Sequence, residues 1–413
     1  MTATAEPRDS VTCPIAHPLD QGPDGVNRPG LYKNPAYHTI REAGTGVAEV
    51  IRANGTRAKL VTRYGDVIQV LRDHEAFSRE AALDVDDVAG LEGTLLGLDR
   101  DAHATVRAVV KDRFTPSAVE GIRDRIEARA VARLDAMRKQ GDPADLIREF
   151  ALPFALDTIG DMLGVPQRDR LRFREWGEAF LSNDTLSRDD ATAAEQAMAG
   201  YLAGLIEQRR QDPTGDLLSR IAVNGAHLPF DQMIKLPIAL LVGGWDTTAS
   251  SIGTYIQVLL THPYGDHETG YRYLVDHPEA VPGAITELER MFSTSAGDEM
   301  PRRVVRDVTL PSGAALRAGD VVIPSHDAAN YDPRVFSDPH RMDFGRTPNR
   351  HLSFGYGIHH CIGRHLGHVE VVTAIALLTR ELPALRLAVP AEDIRHKPGQ
   401  AVGGPIELPV AWS

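Results

Sequence analysis

The chain has 413 residues, of which 42% are hydrophobic, and its formal net charge of −12 at pH 7 argues against a nucleic-acid partner. It has only two cysteines, no recognisable signal peptide and no apolar run long enough to cross a bilayer, which indicates a cytoplasmic protein without disulfides or membrane contact. No linker, repeat or low-complexity tract divides it, so we expect one domain over residues 1–413.

The first predicted elements are short. Residues 1–30 are rich in Pro and Gly and indicate an extended segment. The apolar and β-branched run 58–62 predicts a strand, and residues 66–72 predict a helix. His103 and Arg107 follow, and because they are four residues apart they share one helix face and offer two cationic donors. An ordinary solvated face would show the same spacing.

Most of the remaining chain has the apolar spacing of helices. Apolar residues recur with helical period in 119–140, 146–163 and 195–210, and the long segment 230–260 is apolar on all sides before its centre. Short β-branched runs after residue 300 predict a few further strands. The sequence therefore predicts a mainly α fold with a small β region.

The centre of the long segment is polar. Gly243 and Gly244 each weaken a helix by about 1 kcal/mol relative to Ala. The hydroxyl of Thr247 can bond the carbonyl four residues back and bend the helix, which would open a groove where backbone approaches a ligand. Asp246 places an acid next to that hydroxyl in the sequence. A plain glycine kink with an interior threonine is the alternative.

The stretch 354–363, Phe-Gly-Tyr-Gly-Ile-His-His-Cys-Ile-Gly, holds one of the two cysteines. A helical pattern over 364–382 follows, so Cys361 lies at a loop-to-helix junction, where unpaired N–H groups and the positive helix end favour a thiolate. A lone thiolate in a glycine-shaped loop suits axial ligation of haem iron. The alternatives are a buried structural cysteine and a zinc site with His359 and His360, although zinc usually takes spaced pairs of ligands.

The spacing Phe-Gly-x-Gly-x-His-x-Cys-x-Gly resembles the haem-binding loop of the cytochrome P-450 family. Further motifs occur in the family's order, so the resemblance extends from about residue 66 to the C-terminus. It implies a single-domain fold in which haem b lies between the central helix, about 230–260, and the Cys-loop helix, about 362–382.

The resemblance also assigns roles to individual residues. Asp246 and Thr247 would deliver protons for oxygen activation. Glu287, Arg290 and Arg341 would form a buried ionic triad beneath the haem loop. Cys361 would be the iron ligand, and the full set assigned to cofactor binding is His103, Arg107, Gly243, Gly244, Arg302 (with Arg303 as the alternative), Phe354, Gly355, His359, Cys361 and Gly363.

The implied activity is that of a haem-thiolate monooxygenase, which uses O2 and external electrons to hydroxylate a small organic molecule in bacterial secondary metabolism. Ferredoxin and ferredoxin reductase would donate the electrons to a monomeric enzyme, on a face around Arg107, Lys111, Arg113 and Arg364. The polar segment 293–300 favours a polar substrate. The alternatives are oxidative C–C or C–N coupling or ring closure at the same haem, a peroxide-driven enzyme, and a non-catalytic haem-binding protein.

Overall fold

The computed structural model describes residues 15–16, 34–52, 54–86, 90–181, 188–294, 300–397 and 402–413. Apart from one short strand, the predicted extended segment 1–30 lies outside the described residues, as does most of the polar segment 293–300. Helices make up 56% of the structure, which confirms the predicted mainly α fold with a small β region.

The described part of the chain contains fourteen α-helices and eleven short strands. The helices are α1 (Pro35–Glu42), α2 (Tyr64–Arg72), α3 (Arg100–Ala108), α4 (Pro116–Glu120), α5 (Arg123–Gln140), α6 (Leu152–Leu163), α7 (Arg170–Leu181), α8 (Arg188–Gln211), α9 (Leu217–Asn224), α10 (Phe230–Thr261), α11 (Gly270–Asp276), α12 (Val281–Met291), α13 (His326–Asn330) and α14 (Arg364–Glu381). The strands are β1 (Ile15–Ala16), β2 (Val47–Ile51), β3 (Arg57–Val61), β4 (Phe77–Ser78), β5 (Ala144–Asp145), β6 (Arg302–Val304), β7 (Val308–Thr309), β8 (Ala315–Leu316), β9 (Val321–Pro324), β10 (Arg386–Leu387) and β11 (Pro409–Ala411).

The largest sheet has the strand order β1-β2-β3-β9-β6-β4. β3 runs parallel to β9, with Lys59 opposite Val322, and β6 runs antiparallel to β9, with Arg302 opposite the same valine. Two smaller sheets, β10-β11-β5 and β7-β8, complete the β region. The pairing of β6 between β9 and β4 fixes which way its two arginines point.

Helix α10 runs through the largest apolar core, where it packs against α6 and α14. It continues without a break from Phe230 to Thr261, so the glycine pair weakens the helix without interrupting it. Pro237 lies inside α10 and lacks the N–H for one helical hydrogen bond, but it does not end the helix. Buried apolar side chains surround α10 on nearly all sides and stabilise it. None of the described helices is long and apolar enough to cross a membrane.

The predicted elements differ from the structure mainly at their boundaries. The strand 58–62 and the helices 66–72, 230–260 and 364–382 are confirmed as β3, α2, α10 and α14. The segment 119–140 divides into α4 and α5, and 146–163 begins with the π-helical turn Ile147–Ala151. Periodicity alone does not distinguish such irregular turns from a continuous helix.

Candidate functional site

The single described cysteine lies in a tight turn just before α14. Gly355 and Gly357 have φ angles of 71° and 75°, a conformation that other residues rarely adopt. A Cβ atom at Gly357 would also collide with the carbonyl of Leu71 at the end of α2. The N–H of Cys361 donates to the carbonyl of Phe354 at 2.9 Å and closes the turn. The glycines of the motif therefore permit one specific backbone shape.

The thiol of Cys361 is surrounded by protein but open on one side. The residue is exposed, yet burial raises the pKa of its thiol. The N–H groups of Gly363 and Arg364 and the guanidinium groups of Arg107 and Arg364 oppose that rise in pKa. Both observations follow from a sulfur that faces an internal cleft. The predicted thiolate thus needs more than the helix start, and a metal ion bound by Cys361 would favour the deprotonated form.

Two loop residues shape the surroundings of the sulfur. The ring of Phe354 lies under the guanidinium of Arg364, whose Cζ is 6.0 Å from the ring centre. A Cβ atom at Gly363 would lie 4.0 Å from the sulfur of Cys361, so the glycine leaves space on that side. Both residues lie close to Cys361, and their roles in cofactor binding stay predictions.

One face of α10 is accessible although most of the helix is buried. Ala239, Gly243, Thr247 and Ser251 recur every four residues, and each is partly or fully exposed. A Cβ atom at Gly243 would meet nothing within 4 Å. The Thr247 hydroxyl donates to the Gly243 carbonyl at 2.6 Å, as its spacing predicts. Helix α10 therefore presents a stripe of small residues to the cleft.

Gly244 has different neighbours from Gly243. A Cβ atom at Gly244 would lie 3.0 to 3.4 Å from the side chain of Ile159 on α6. Gly244 therefore lies against α6, and its role in cofactor binding stays a prediction. A Cβ atom at Gly367 of α14 would lie 3.7 Å from the hydroxyl of Thr248, so α14 meets α10 one residue after Thr247. The cysteine helix and the stripe are thus adjacent.

Asp246 is buried on the flank of α10. Its Oδ1 lies 2.5 Å from Nζ of Lys397, and the same Nζ lies 3.0 Å from the hydroxyl of Ser250. Its Oδ2 is also buried, and among the described residues it has no hydrogen-bond partner. Among the described residues, the predicted acid is therefore held through one carboxylate oxygen.

Basic side chains gather beside the Cys loop. The rings of His103 and His359 have their centres 4.7 Å apart. His103 is buried, which lowers its pKa to about 4, and within the described part of the chain its Nε2 has no partner. The ring nitrogens of His359 lie 3.2 Å from the carbonyl of Leu95 and 3.1 Å from the carboxylate of Asp99. His359 is thus already paired with a carboxylate of the protein.

Arg302 joins this edge from β6. It is buried, and its Nη1 donates to two backbone carbonyls of its own segment at 3.0 and 3.1 Å. Burial lowers the pKa of its guanidinium to about 9. Arg303 points to the opposite face of the strand, where it pairs with Asp84 at 2.7 Å. This alternation favours Arg302 over Arg303 as the inward-facing arginine.

Arg107 and His103 both lie on α3, but they contact different residues of the Cys loop. Its Nη2 donates to the carbonyl of His360 at 2.7 Å, so it braces the Cys loop from outside the turn. Burial lowers the pKa of Arg107, and the nearby Cys361 raises it. Its bond to a propionate stays a prediction.

A saturated buried carboxylate supports the Cys loop. Glu287 and Arg290 are both 0% exposed and pair at 2.8 Å, as predicted. The second arginine on Glu287 is Arg346, whose Nε lies 3.0 and 3.1 Å from the two carboxylate oxygens. The prediction of Arg341 is wrong: its side chain is 71% exposed and approaches Asp343 at 3.4 Å. Its carbonyl instead accepts from Arg346 at 3.0 Å, so Arg341 belongs to the turn that holds Arg346.

Asn330 connects this ion cluster to the Cys loop. Its carbonyl accepts from Arg290 at 2.8 Å. Its side-chain oxygen accepts from the N–H of Leu352 at 2.7 Å, and its side-chain nitrogen lies 2.9 Å from the hydroxyl of Ser353. The cluster is therefore joined by hydrogen bonds to the two residues that precede the motif.

Four residues near the site carry no sequence signal that we recognised: Asp99, Glu289, Arg346 and Lys397. The buried carboxylate of Glu289 lies 2.9 Å from Nδ1 of His368 and 3.5 Å from Nε2 of His351. Arg346 lies only five residues after the predicted Arg341, but no pattern in that coil distinguishes the two arginines. Among the described residues, no three His, Cys, Asp or Glu side chains form a group that could hold a metal ion.

Comparisons with known proteins agree with this geometry. A family model described as Cytochrome P450 matches residues 280–401. The chain is 38% identical to a mycinamicin IV hydroxylase/epoxidase of Micromonospora griseorubida, over 89% of this chain and 92% of that protein. It is 36% identical to a nocardicin C N-oxygenase of Nocardia uniformis subsp. tsuyamanensis, over 92% of this chain and 95% of that protein. A solved structure of a putative thioether synthase in griseoviridin tailoring has a TM-score of 0.87 and 33% identity, and covers 97% of this chain and 100% of its own.

Proposed function

The chain belongs to the cytochrome P450 family, and on that premise we propose that it is a tailoring monooxygenase for a small secondary metabolite. Its relatives are named for hydroxylation, epoxidation and N-oxygenation. The observation that carries the proposal is the exposed Cys361 just before α14, which packs against α10, the helix with the accessible stripe. A haem-thiolate enzyme needs a thiolate on one face of a flat cofactor and a reaction space on the other.

The residues of the cleft fit haem b. The sulfur of Cys361 is open, and the bare backbone at Gly243 lets a flat group approach α10 closely. His103 has an unpartnered buried Nε2, and the buried Arg302 donates only to backbone carbonyls among the described residues, so both suit the carboxylates of a porphyrin. Haem, when bound, supplies the iron that binds and reduces O2 and transfers oxygen to the substrate.

We assign proton handling to Asp246 and Thr247. The Thr247 hydroxyl donates to Gly243, so its lone pairs remain available as acceptors on the cleft face. The buried Oδ2 of Asp246 is available to take up and release a proton, because no described residue occupies it. The acid and the hydroxyl are adjacent in sequence on one helix, and water between them would complete a short proton path.

We propose a ferredoxin with its reductase as the electron donor. Lys111, Arg113 and Arg364 are exposed, and Arg107 is half-buried beside them. Arg107 and Arg364 both lie close enough to Cys361 to lower the pKa of its thiol, which brings this basic surface near the predicted iron ligand. An acidic electron carrier would be attracted to such a surface.

Carbon monoxide difference spectroscopy tests the proposed haem ligand. The reduced protein is expected to show the red-shifted Soret band of a thiolate-ligated haem, and Cys361→Ser is expected to abolish it. Cys13→Ser removes the other cysteine and serves as the matched control, which should keep the band. Retention of the band in Cys361→Ser would exclude Cys361 as the ligand.

A ligand screen tests the proposed reaction. Mycinamicin IV and nocardicin C are suitable first probes, because a compound that enters the cleft shifts the Soret band of the oxidised enzyme. Each compound that shifts it is then incubated with NADPH and a surrogate ferredoxin system. A product that gains one oxygen atom supports monooxygenation, whereas a product that only loses hydrogen would indicate oxidative coupling or ring closure.

A further inference from the structure

A lysine from the C-terminal part of the chain contacts the predicted proton-delivering acid. Lys397 Nζ lies 2.5 Å from Oδ1 of Asp246 and 3.0 Å from the hydroxyl of Ser250. The side chains of Lys397 and Asp246 are only 15% and 6% exposed. The two residues are 151 positions apart, so the contact exists only in the folded protein.

The segment that carries Lys397 lies directly against α10. Nε2 of the preceding His396 lies 3.0 Å from the side-chain oxygen of Gln257 on α10. The N–H of Lys397 donates to the carbonyl of Gly404 at 3.0 Å. A Cβ atom at Gly404 would lie 3.0 Å from Ser250, so backbone and helix are in contact there. The backbone on which the lysine lies is therefore packed against α10 at these points.

A second contact ties the same segment to α10 further along the helix. A Cβ atom at Gly253 would lie 2.9 Å from Pro405. The N–H of Gly403 donates to the carbonyl of Thr294 at 2.9 Å, and the Thr294 hydroxyl is 2.9 Å from that of Ser251 on α10. Contacts on both sides of Lys397 thus fix its ammonium group relative to Asp246.

We infer that Lys397 is a positioning residue for proton delivery by Asp246. This inference rests on the proposed function of Asp246. The ammonium holds Oδ1 and compensates the buried negative charge, which leaves Oδ2 as the oxygen that exchanges protons. A proton that arrives at Oδ2 neutralises the carboxylate and weakens its attraction to Lys397. When that proton leaves toward the cleft, the ammonium again compensates the negative charge of the carboxylate.

The choice of lysine suits this role. An arginine presents two parallel donors and tends to occupy both oxygens of a carboxylate, whereas an ammonium is a point charge that can hold one. Elsewhere in this protein, Arg290 and Arg346 together saturate both oxygens of Glu287. Lys397 leaves one oxygen of Asp246 without a partner among the described residues.

The test compares Lys397→Met with Lys59→Met. Lys59 pairs with Asp320 at 2.6 Å in the sheet region, so it is a matched lysine–aspartate pair away from the cleft. NADPH oxidation by the haem-loaded enzyme is measured with a surrogate ferredoxin system and no added substrate, in H2O and in D2O. We expect Lys397→Met to lower the rate about tenfold and to increase the solvent isotope effect, because proton transfer becomes rate-limiting. Lys59→Met is expected to change neither quantity.

Three further variants separate this inference from the proposed function. Lys397→Arg keeps the positive charge but can also occupy Oδ2, so it should recover the rate only in part. Lys397→Gln keeps a donor for Ser250 without the charge and should not recover it. Asp246→Asn should oxidise NADPH slowly whether or not Lys397 has the inferred role. Unchanged rate and isotope effect in Lys397→Met, with Asp246→Asn slow, would overturn the role of Lys397 alone. A normal rate in Asp246→Asn would overturn the proposed proton relay itself. Loss of haem in both Lys397→Met and Lys397→Gln would make Lys397 a folding residue and also overturn the inference.

Discussion

Two buried carboxylates of this protein differ in how completely they are paired. Glu287, beneath the Cys loop, accepts from Arg290, Arg346, Asn349 and the N–H of Asp343, so both of its oxygens are saturated. Asp246, beside the cleft, has a cation on Oδ1 and no described partner on Oδ2. A saturated network holds structure in place, whereas a half-paired group can exchange a proton.

The same contrast extends to the residues around each acid. The region below the Cys loop is joined by continuous hydrogen bonds from Glu287 through Arg290 and Asn330 to Leu352. The cleft side contains a histidine, His103, whose buried Nε2 has no partner among the described residues. We therefore expect substitutions in the lower region to reduce stability, and substitutions on the cleft side to change chemistry with little loss of stability.

The largest expected effect is that of Arg346→Ala. It removes one of the two arginines from a fully buried carboxylate, and breaking such a pair costs about 3–5 kcal/mol because a buried charge loses its partner. Urea unfolding and the haem content of the purified protein measure the effect. Glu287→Ala is expected to have an effect of similar size.

Arg341→Ala is the control for that experiment. Its side chain is largely exposed and makes only a long contact with Asp343, so we expect a change within about 0.5 kcal/mol. The reverse order, with Arg341→Ala much more destabilising than Arg346→Ala, would support Arg341 as the third member of the triad, as the sequence predicts. Equal small effects would mean that the cluster does not hold the Cys loop.

Thr247→Ala is expected to have a smaller effect, which changes the products of O2 reduction and not the stability of the protein. It removes the hydroxyl from the cleft face of α10, so the ratio of water to hydrogen peroxide formed per NADPH should fall about tenfold, since protons reach the reacting oxygen less often. Unfolding by urea should be nearly unchanged. Thr248→Ala alters the neighbouring hydroxyl, which is buried toward α14, and should keep the wild-type ratio. The same peroxide yield in both variants would remove Thr247 from the relay.

The part of the site that the sequence predicts consists of local contacts. Glu287–Arg290 and Thr247–Gly243 are three and four residues apart on a helix, and the Cys loop is one continuous motif. Lys397 and Asp246 are 151 residues apart, and no periodicity in one sequence indicates which remote lysine meets a given acid. The sequence does not indicate Arg346 for a different reason. The coil that contains it has no periodic pattern of apolar residues, so the direction of one turn decides whether Arg341 or Arg346 reaches Glu287.

Gly243→Ala and Gly244→Ala provide the finest comparison, because adjacent residues of one helix face different surroundings. At Gly243 a methyl group meets nothing within 4 Å in the protein, so it should gain up to about 1 kcal/mol of helix stability but project into the cleft and alter the carbon monoxide spectrum. At Gly244 the methyl would lie 3.0 Å from Ile159, so crowding offsets the gain while the spectrum stays normal. Urea unfolding and the spectrum of each haem-loaded variant measure both effects. A spectrum altered by Gly244→Ala but not by Gly243→Ala would mean that the cofactor lies against the other side of α10, and the assignment of Thr247 to the cleft face would fail with it.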